Sequence, residues 1–137
     1  MTKEEQRLLC TDLSARLPYG VKYVANIRGR EGCVETMVAI SYRKSKERGY
    51  EGIFVDAESG GWDSIDDVKP YLRPLSSMTA EELAEWEFPL DMDYNGYCIP
   101  SYPALDWLNA HHFDYRGLIE KGLALEAPEG MYDTKTE

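Results

Sequence analysis

Cysteine is scarce. The chain of 137 residues carries three, Cys10, Cys33 and Cys98, with no C-x-x-C spacing among them. An odd, scattered set excludes the disulfide framework of a small secreted domain and fits a reducing compartment. Long apolar runs are also missing, and none approaches the roughly 18 residues of a membrane span. The opening, Met1-Thr2-Lys3-Glu4-Glu5, has no apolar signal-peptide core, so no membrane contact and a cytoplasmic location are expected. Basic charge is in short supply as well. Lys and Arg number 15 against 25 Asp and Glu, a net charge of −10, and this disfavours direct binding to nucleic acid. The sequence lacks a phosphate loop, a GxSxG elbow, an HExxH pair and a Rossmann glycine pattern.

What remains is the composition of an ordinary globular domain, with hydrophobic residues at 43% and charged ones at 29%. The charge is uneven. Residues 28–49 hold six basic side chains against three acidic ones, and the run Arg43-Lys44-Ser45-Lys46 reads as a solvated turn between strands. Residues 56–93 hold eleven acids against Lys69 and Arg73. That stretch reads first as a solvated face and second as a mimic of nucleic-acid phosphates.

The first helix is announced by Thr2 and Glu5, a T-x-x-E capping box, and by the apolar stripe Leu9, Leu13 and Leu17. Pro18 ends it. Alternation then predicts strands over Val21–Ile27, Val34–Tyr42 and Gly52–Asp56. In the second, Val34, Thr36, Val38, Ile40 and Tyr42 should face opposite to Glu35, Met37, Ala39 and Ser41. Short connections, including the glycine-bearing Arg28–Gly32 turn, make these strands antiparallel neighbours. The expected fold class is α+β: an N-terminal helix on a three-stranded antiparallel meander, followed by several short helices.

The helical half begins after Ser59-Gly60-Gly61. Ser64 should cap Ile65–Lys69, which Pro70 ends. Thr79 and Glu82 form a second capping box, with Met78 and Leu83 as its staple, for a helix over 80–87. Pro103 suits the first turn of another helix carrying Leu105, Leu108 and His112 on one face. Asp114 should cap one more turn, stopped by Gly122, and Leu123–Leu125 could add a short edge strand. No linker divides the chain. It reads as one domain over 1–137, with helix and meander in 1–58, short helices in 62–127 and a frayed tail in 128–137.

Two blocks carry a resemblance. The run Lys69-Pro70-Tyr71-Leu72-Arg73-Pro74-Leu75-Ser76-Ser77-Met78-Thr79 and the longer stretch from Asp106-Trp107-Leu108-Asn109-Ala110-His111-His112 to Glu126-Ala127-Pro128 look like small acidic proteins encoded by phages, prophages and other mobile elements of gut Bacteroidales. No activity is assigned to that group, so no residue inherits a catalytic role. The resemblance implies a cytosolic accessory factor working inside a bacterial host, of a kind that binds more often than it catalyses.

Three constellations could carry chemistry. Asp91, Asp93, Asn95, Gly96 and Tyr97 reproduce the first half of a calcium loop, with carboxylates at positions 1 and 3, an amide at 5 and a backbone carbonyl at 7. Position 12 is Tyr102 in place of the bidentate glutamate, so calcium would be held weakly, and a polar Asn-Gly turn explains the same residues. His111, His112 and Asp114 form the second set, although adjacent histidines on a helix point about 100° apart and suit a helix C-terminus without any metal. Cys98 with either histidine is the third, and no spacing selects it. Helix–strand–strand–strand–helix is also the order of the double-stranded RNA-binding domain. The acids Glu81 and Glu82 stand where that module needs lysines.

Aromatics beside charge suggest recognition. Tyr94, Tyr97, Tyr102 and Trp107 cluster around the acidic loop, as binding-site residues do, and the same side chains could equally pave a thin core. The expected function is non-enzymatic: protein–protein binding to an unidentified host or phage protein through segment 85–107. The alternatives are an acidic nucleic-acid-mimicking inhibitor of a host defence enzyme and a weak calcium-binding or other metal-binding protein.

Overall fold

The computed structural model describes residues 1–30, 32–87, 90–92, 98–100 and 102–132. Helix α1 spans Lys3–Ala15 and starts as its sequence dictates. The Thr2 hydroxyl accepts from the Glu5 N–H at 3.1 Å, and the Glu5 carboxylate accepts from the Thr2 N–H at 2.9 Å. The leucine stripe turns inward, with Leu9 and Leu13 fully buried.

The expected meander is present as β1 (Lys22–Ala25), β2 (Val34–Ser45) and β3 (Tyr50–Ala57). It is only part of the sheet. The short strand β4 (Trp62–Ser64) adds to β3, and β5 (Val68–Pro74) pairs antiparallel with the free side of β1. A separate two-stranded pair, β6 (Leu90–Met92) with β7 (Cys98–Pro100), interrupts the helical half. The two-residue strands β8 (Phe113–Asp114) and β9 (Leu125–Glu126) return to β5 in parallel. The main sheet therefore has seven strands in the order β4-β3-β2-β1-β5-β8, with β9 also on β5.

The segment after Ser64 corrects the expected helix over Ile65–Lys69. Ser64 does cap, its hydroxyl accepting from the Asp66 N–H at 3.3 Å. The turn it caps is a single 3₁₀ turn, Ile65–Asp67, and the chain then extends into β5. Pro70 is compatible with a strand because, among the described residues, its only ladder partner is Tyr23 of β1; the parallel partners begin at Tyr71. Locally it occupies an edge, the place a sheet tolerates proline.

A bulge corrects the faces of β2. Its register slips between Met37 and Ala39, and the extra residue inverts the alternation. Met37 enters the core at 1% exposure, while Val38 stands 51% exposed. Beyond the bulge Ile40 packs against the core, as expected.

The core lies between α1 and one face of the sheet. Leu9 and Leu13 meet Tyr23, Met37, Val55 and Leu72, with Leu118 and Leu123 from the C-terminal half. That half contains α2 (Ala80–Glu87) and α3 (Tyr102–Ala110), near where the sequence puts them. The second capping box closes with the Thr79 hydroxyl 3.1 Å from the Glu82 N–H and the Glu82 carboxylate 3.0 Å from the Thr79 N–H. Leu83, expected to staple, is exposed. Of the tail expected to fray, residues 133–137 lie outside the described residues; just before them the buried Tyr132 hydroxyl donates to the Tyr71 carbonyl at 2.7 Å and accepts from the Lys22 N–H at 2.8 Å. No helix among the described residues is long and apolar enough to cross a membrane.

Candidate functional site

The buried charges are consumed in holding the fold. Asp12 in the last turn of α1 and Arg16, which caps its C-terminal end, are fully buried and paired at 2.7 Å. Arg16 also donates to the Phe113 carbonyl at 2.6 Å, and Arg116 reaches Asp12 at 3.1 Å. This ties the first helix to the C-terminal half. On β5, Arg73 forms a two-pronged pair with Glu82 at 2.7 and 2.8 Å and lies 4.1 Å from the Phe113 ring centroid. On β4, buried Asp63 accepts from the Tyr23 hydroxyl at 3.0 Å and from Arg30 at 2.6 Å. Burial, and then the Asp63 carboxylate, push the Tyr23 phenol well above its ordinary range.

These pairings bear on the acidic stretch. Of its eleven acids, Asp63 and Glu82 are buried and ion-paired, and Asp56 pairs with Arg43 at 3.1 Å. These three do not contribute to an open acidic face.

The second constellation separates into three unrelated tasks. The His111 Nδ1 lies 2.9 Å from the Trp107 carbonyl in the last turn of α3, the capping role expected of an imidazole there. His112 takes the left-handed conformation (φ 64°) that turns the chain out of the helix. Its ring stacks on Tyr132 at 3.7 Å, and its Nδ1 is buried with no hydrogen-bond partner among the described residues. Burial, followed by the fields of Arg16, His111, Arg73 and Lys22, lowers its pKa to about 3. Asp114 caps the following turn, its two oxygens accepting from the Leu118 and Ile119 N–H groups at 2.9 and 3.0 Å. Among the described residues no three His, Cys, Asp or Glu side chains gather where they could hold a metal.

Of the calcium-loop candidates, Asp91 lies in β6, opposite Ile99 of β7. Asp93, Tyr94, Asn95 and Tyr97 lie outside the described residues. Cys98 is the first residue of β7, and Tyr102 opens α3. Trp107 stacks on His111 with ring centroids 3.9 Å apart and on Phe113 at 5.8 Å. Its indole is thus engaged within the C-terminal half.

A different aromatic group emerges on the sheet face away from α1. Val55 and Ala57 enter the core, so the pleat sends Phe54 and Asp56 to the other side. There Tyr50, Phe54 and Trp62 meet edge to face in all three pairs, with centroids 5.0–5.6 Å apart. Arg43 from β2 lies 4.6 Å from the Trp62 centroid. It also donates to the Ser41 hydroxyl and the Asp56 carboxylate, at 3.1 Å each. Its side chain remains 37% exposed. The sequence contained a signal for this group. Tyr50, Gly52, Phe54 and Asp56 alternate along β3, and Trp62 follows the Gly60-Gly61 turn that brings it back alongside. Reading Arg43 as part of a solvated turn concealed it. No protein-family model, curated protein or solved structure matches the chain.

Proposed function

We propose that this chain is a non-enzymatic, cytoplasmic accessory protein of a phage or mobile element, and that it acts by binding another protein. One observation carries the reading: Arg43, Tyr50 and Trp62 form a pre-assembled group on the sheet face opposite the helix. Arginine, tyrosine and tryptophan are enriched among the residues that dominate binding energy at protein interfaces; the two aromatics bury a large area at little conformational cost, and arginine adds directed hydrogen bonds and ring stacking. Here their rotamers are already fixed by ring–ring and guanidinium contacts, so less entropy is lost on binding. The segment 85–107, with Tyr94, Tyr97, Tyr102 and Trp107, is the second contact region of the proposal.

The test is affinity capture from lysate of a gut Bacteroidales host, using wild type, the Arg43→Ala/Trp62→Ala double variant and the Tyr97→Ala/Trp107→Ala double variant. A protein recovered by wild type and depleted at least tenfold by the first double variant supports the reading. Depletion by the second variant adds segment 85–107 to the interface. Equal recovery by all three chains, or no recovery by any, contradicts it.

A further inference from the structure

The sheet beside the aromatic group ends in an open edge. Strand β4 covers β3 only at Phe54, Val55 and Asp56, while Tyr50–Ile53 pair with β2 alone. Among the described residues no backbone hydrogen bond reaches the other side of Tyr50–Ile53. After Ser64 the chain leaves the line of the sheet in the 3₁₀ turn Ile65–Asp67, which is tied to α1 by a Gln6–Asp66 hydrogen bond of 2.6 Å. The track that an additional strand would follow is therefore open. Alternate residues of an antiparallel strand turn both N–H and C=O to one side, so half of this edge offers paired donors and acceptors.

Each face beside the edge has room for a side chain. Away from α1, Gly52 leaves open space where any other residue would place a Cβ, between Tyr50 and Phe54 along β3 and opposite Arg43. On the α1 side a groove of about 430 Å³ runs between Ile53 and the helix face carrying Lys3, Gln6, Arg7 and Cys10. Successive side chains of an added strand point to opposite faces, so one set meets the hollow over Gly52 and the other the groove. Although the chain is acidic overall, the residues lining this groove include two basic side chains, Lys3 and Arg7, and no acidic one; Asp66 stands beside them, bonded to Gln6, and Lys44 is paired with Glu51 at 3.8 Å.

Resting on the protein-binding reading above, we propose that an extended acidic segment of the partner protein adds to Tyr50–Ile53 as an antiparallel strand in line with β4. Main-chain hydrogen bonds supply affinity, and the two receptacles with their basic rim supply selectivity. A second copy of the chain fits less well. An edge of four residues between two folded domains falls far short of the roughly 1,200 Å² of a stable interface, whereas a flexible segment can settle into both receptacles.

The probe is a fluorescein-labelled nonapeptide of alternating Glu and Val, titrated to 1 mM (about the mildest affinity worth detecting) against the full chain. Fluorescence anisotropy and ¹⁵N NMR are the readouts. The proposal expects binding at least tenfold tighter than to the Lys/Val counterpart or to the same peptide N-methylated at alternate residues. Amide shifts should centre on Tyr50–Ile53, and the Lys3→Glu/Arg7→Glu variant should weaken binding about tenfold with its fold intact by circular dichroism. Equal binding of the N-methylated peptide, shifts centred elsewhere or no binding of any peptide overturns strand addition. So does a dimer whose dissociation on dilution shifts these same amides, because the edge is then occupied by a second copy. Failure of lysate capture removes the protein-binding reading itself, whereas a captured partner whose cross-links avoid Tyr50–Ile53 removes only strand addition.

Discussion

Arg73 and Glu82 form parallel hydrogen bonds of 2.7 and 2.8 Å, with side chains 10% and 3% exposed. The same carboxylate accepts the Thr79 N–H that opens α2. One acidic side chain thus neutralises a buried guanidinium and starts a helix. Burial opposes its ionisation, but the Arg73 hydrogen bond and the Thr79 N–H outweigh burial and hold its pKa below 4.5.

Removing that carboxylate leaves Arg73 charged and unpaired in the interior. Glu82→Ala should cost about 3–5 kcal/mol, as breaking a buried pair does, measured by urea unfolding at pH 7. The neighbouring exposed Glu81→Ala should stay within about 0.5 kcal/mol. Because the folded pKa is depressed, the stability from Glu82 is complete above the unfolded value and is lost as pH falls below about 4.5. The unfolding free energy of Glu82→Ala should therefore depend less on pH than that of wild type below pH about 4.5.

His112 predicts a second pH dependence at higher pH. Its neighbours are Arg16, Arg73, Lys22 and His111, with Tyr132 against its ring, and its folded pKa lies near 3 against an ordinary 6.5. Between these values the unfolded chain binds the extra proton, so stability is greatest above pH 6.5 and falls as pH drops toward 3. The slope contributed by this one group is at most about 1.4 kcal/mol per pH unit. His112→Asn tolerates the left-handed backbone and should flatten the wild-type slope between pH 6.5 and 5, as read from urea midpoints. An unchanged slope would assign the dependence to other groups.

Much of the fold was legible where its cause is local. Both capping boxes involve side chains three residues apart, and both form as the sequence indicates. The meander was legible because short turns force adjacent pairing. Strand β5 was not, since Ser64 and Pro70 together imitate a short helix with a start and a stop. The bulge at Val38 was equally hidden: alternation is readable on either side of it, but the skipped residue leaves no compositional mark. Strand β8, two residues long, is created by its partner β5 and has no periodicity of its own, whereas the short edge strand expected at Leu123–Leu125 is present, shifted along the chain, as β9 over Leu125–Glu126. The candidate site was less legible than the fold. Arg43 joins Trp62 across β3 through sheet geometry alone, and the acids of 56–93 look alike until Asp63 and Glu82 turn inward.

The C-terminal strap gives a third prediction. Tyr132 joins β1 and β5 through its hydroxyl, and burial pushes that phenol up to about 12. Tyr132→Phe keeps the ring against His112 but strands the Lys22 N–H and loses the bond to the Tyr71 carbonyl. The expected cost is about 1–3 kcal/mol, with faster amide exchange at Lys22 as the local signature. Wild-type exchange at Lys22 in this variant would show that the hydroxyl does not hold the strap.

The proposed role of the protein requires a folded surface that holds another protein. Hydrogen–deuterium exchange on the full chain, alone and with the protein captured from host lysate, tests this most directly. Binding through this surface should concentrate protection in Tyr50–Ile53 and around Trp62 and leave the core between α1 and the sheet unchanged. Protection absent from that hairpin, or a chain whose exchange no captured protein alters, would contradict it.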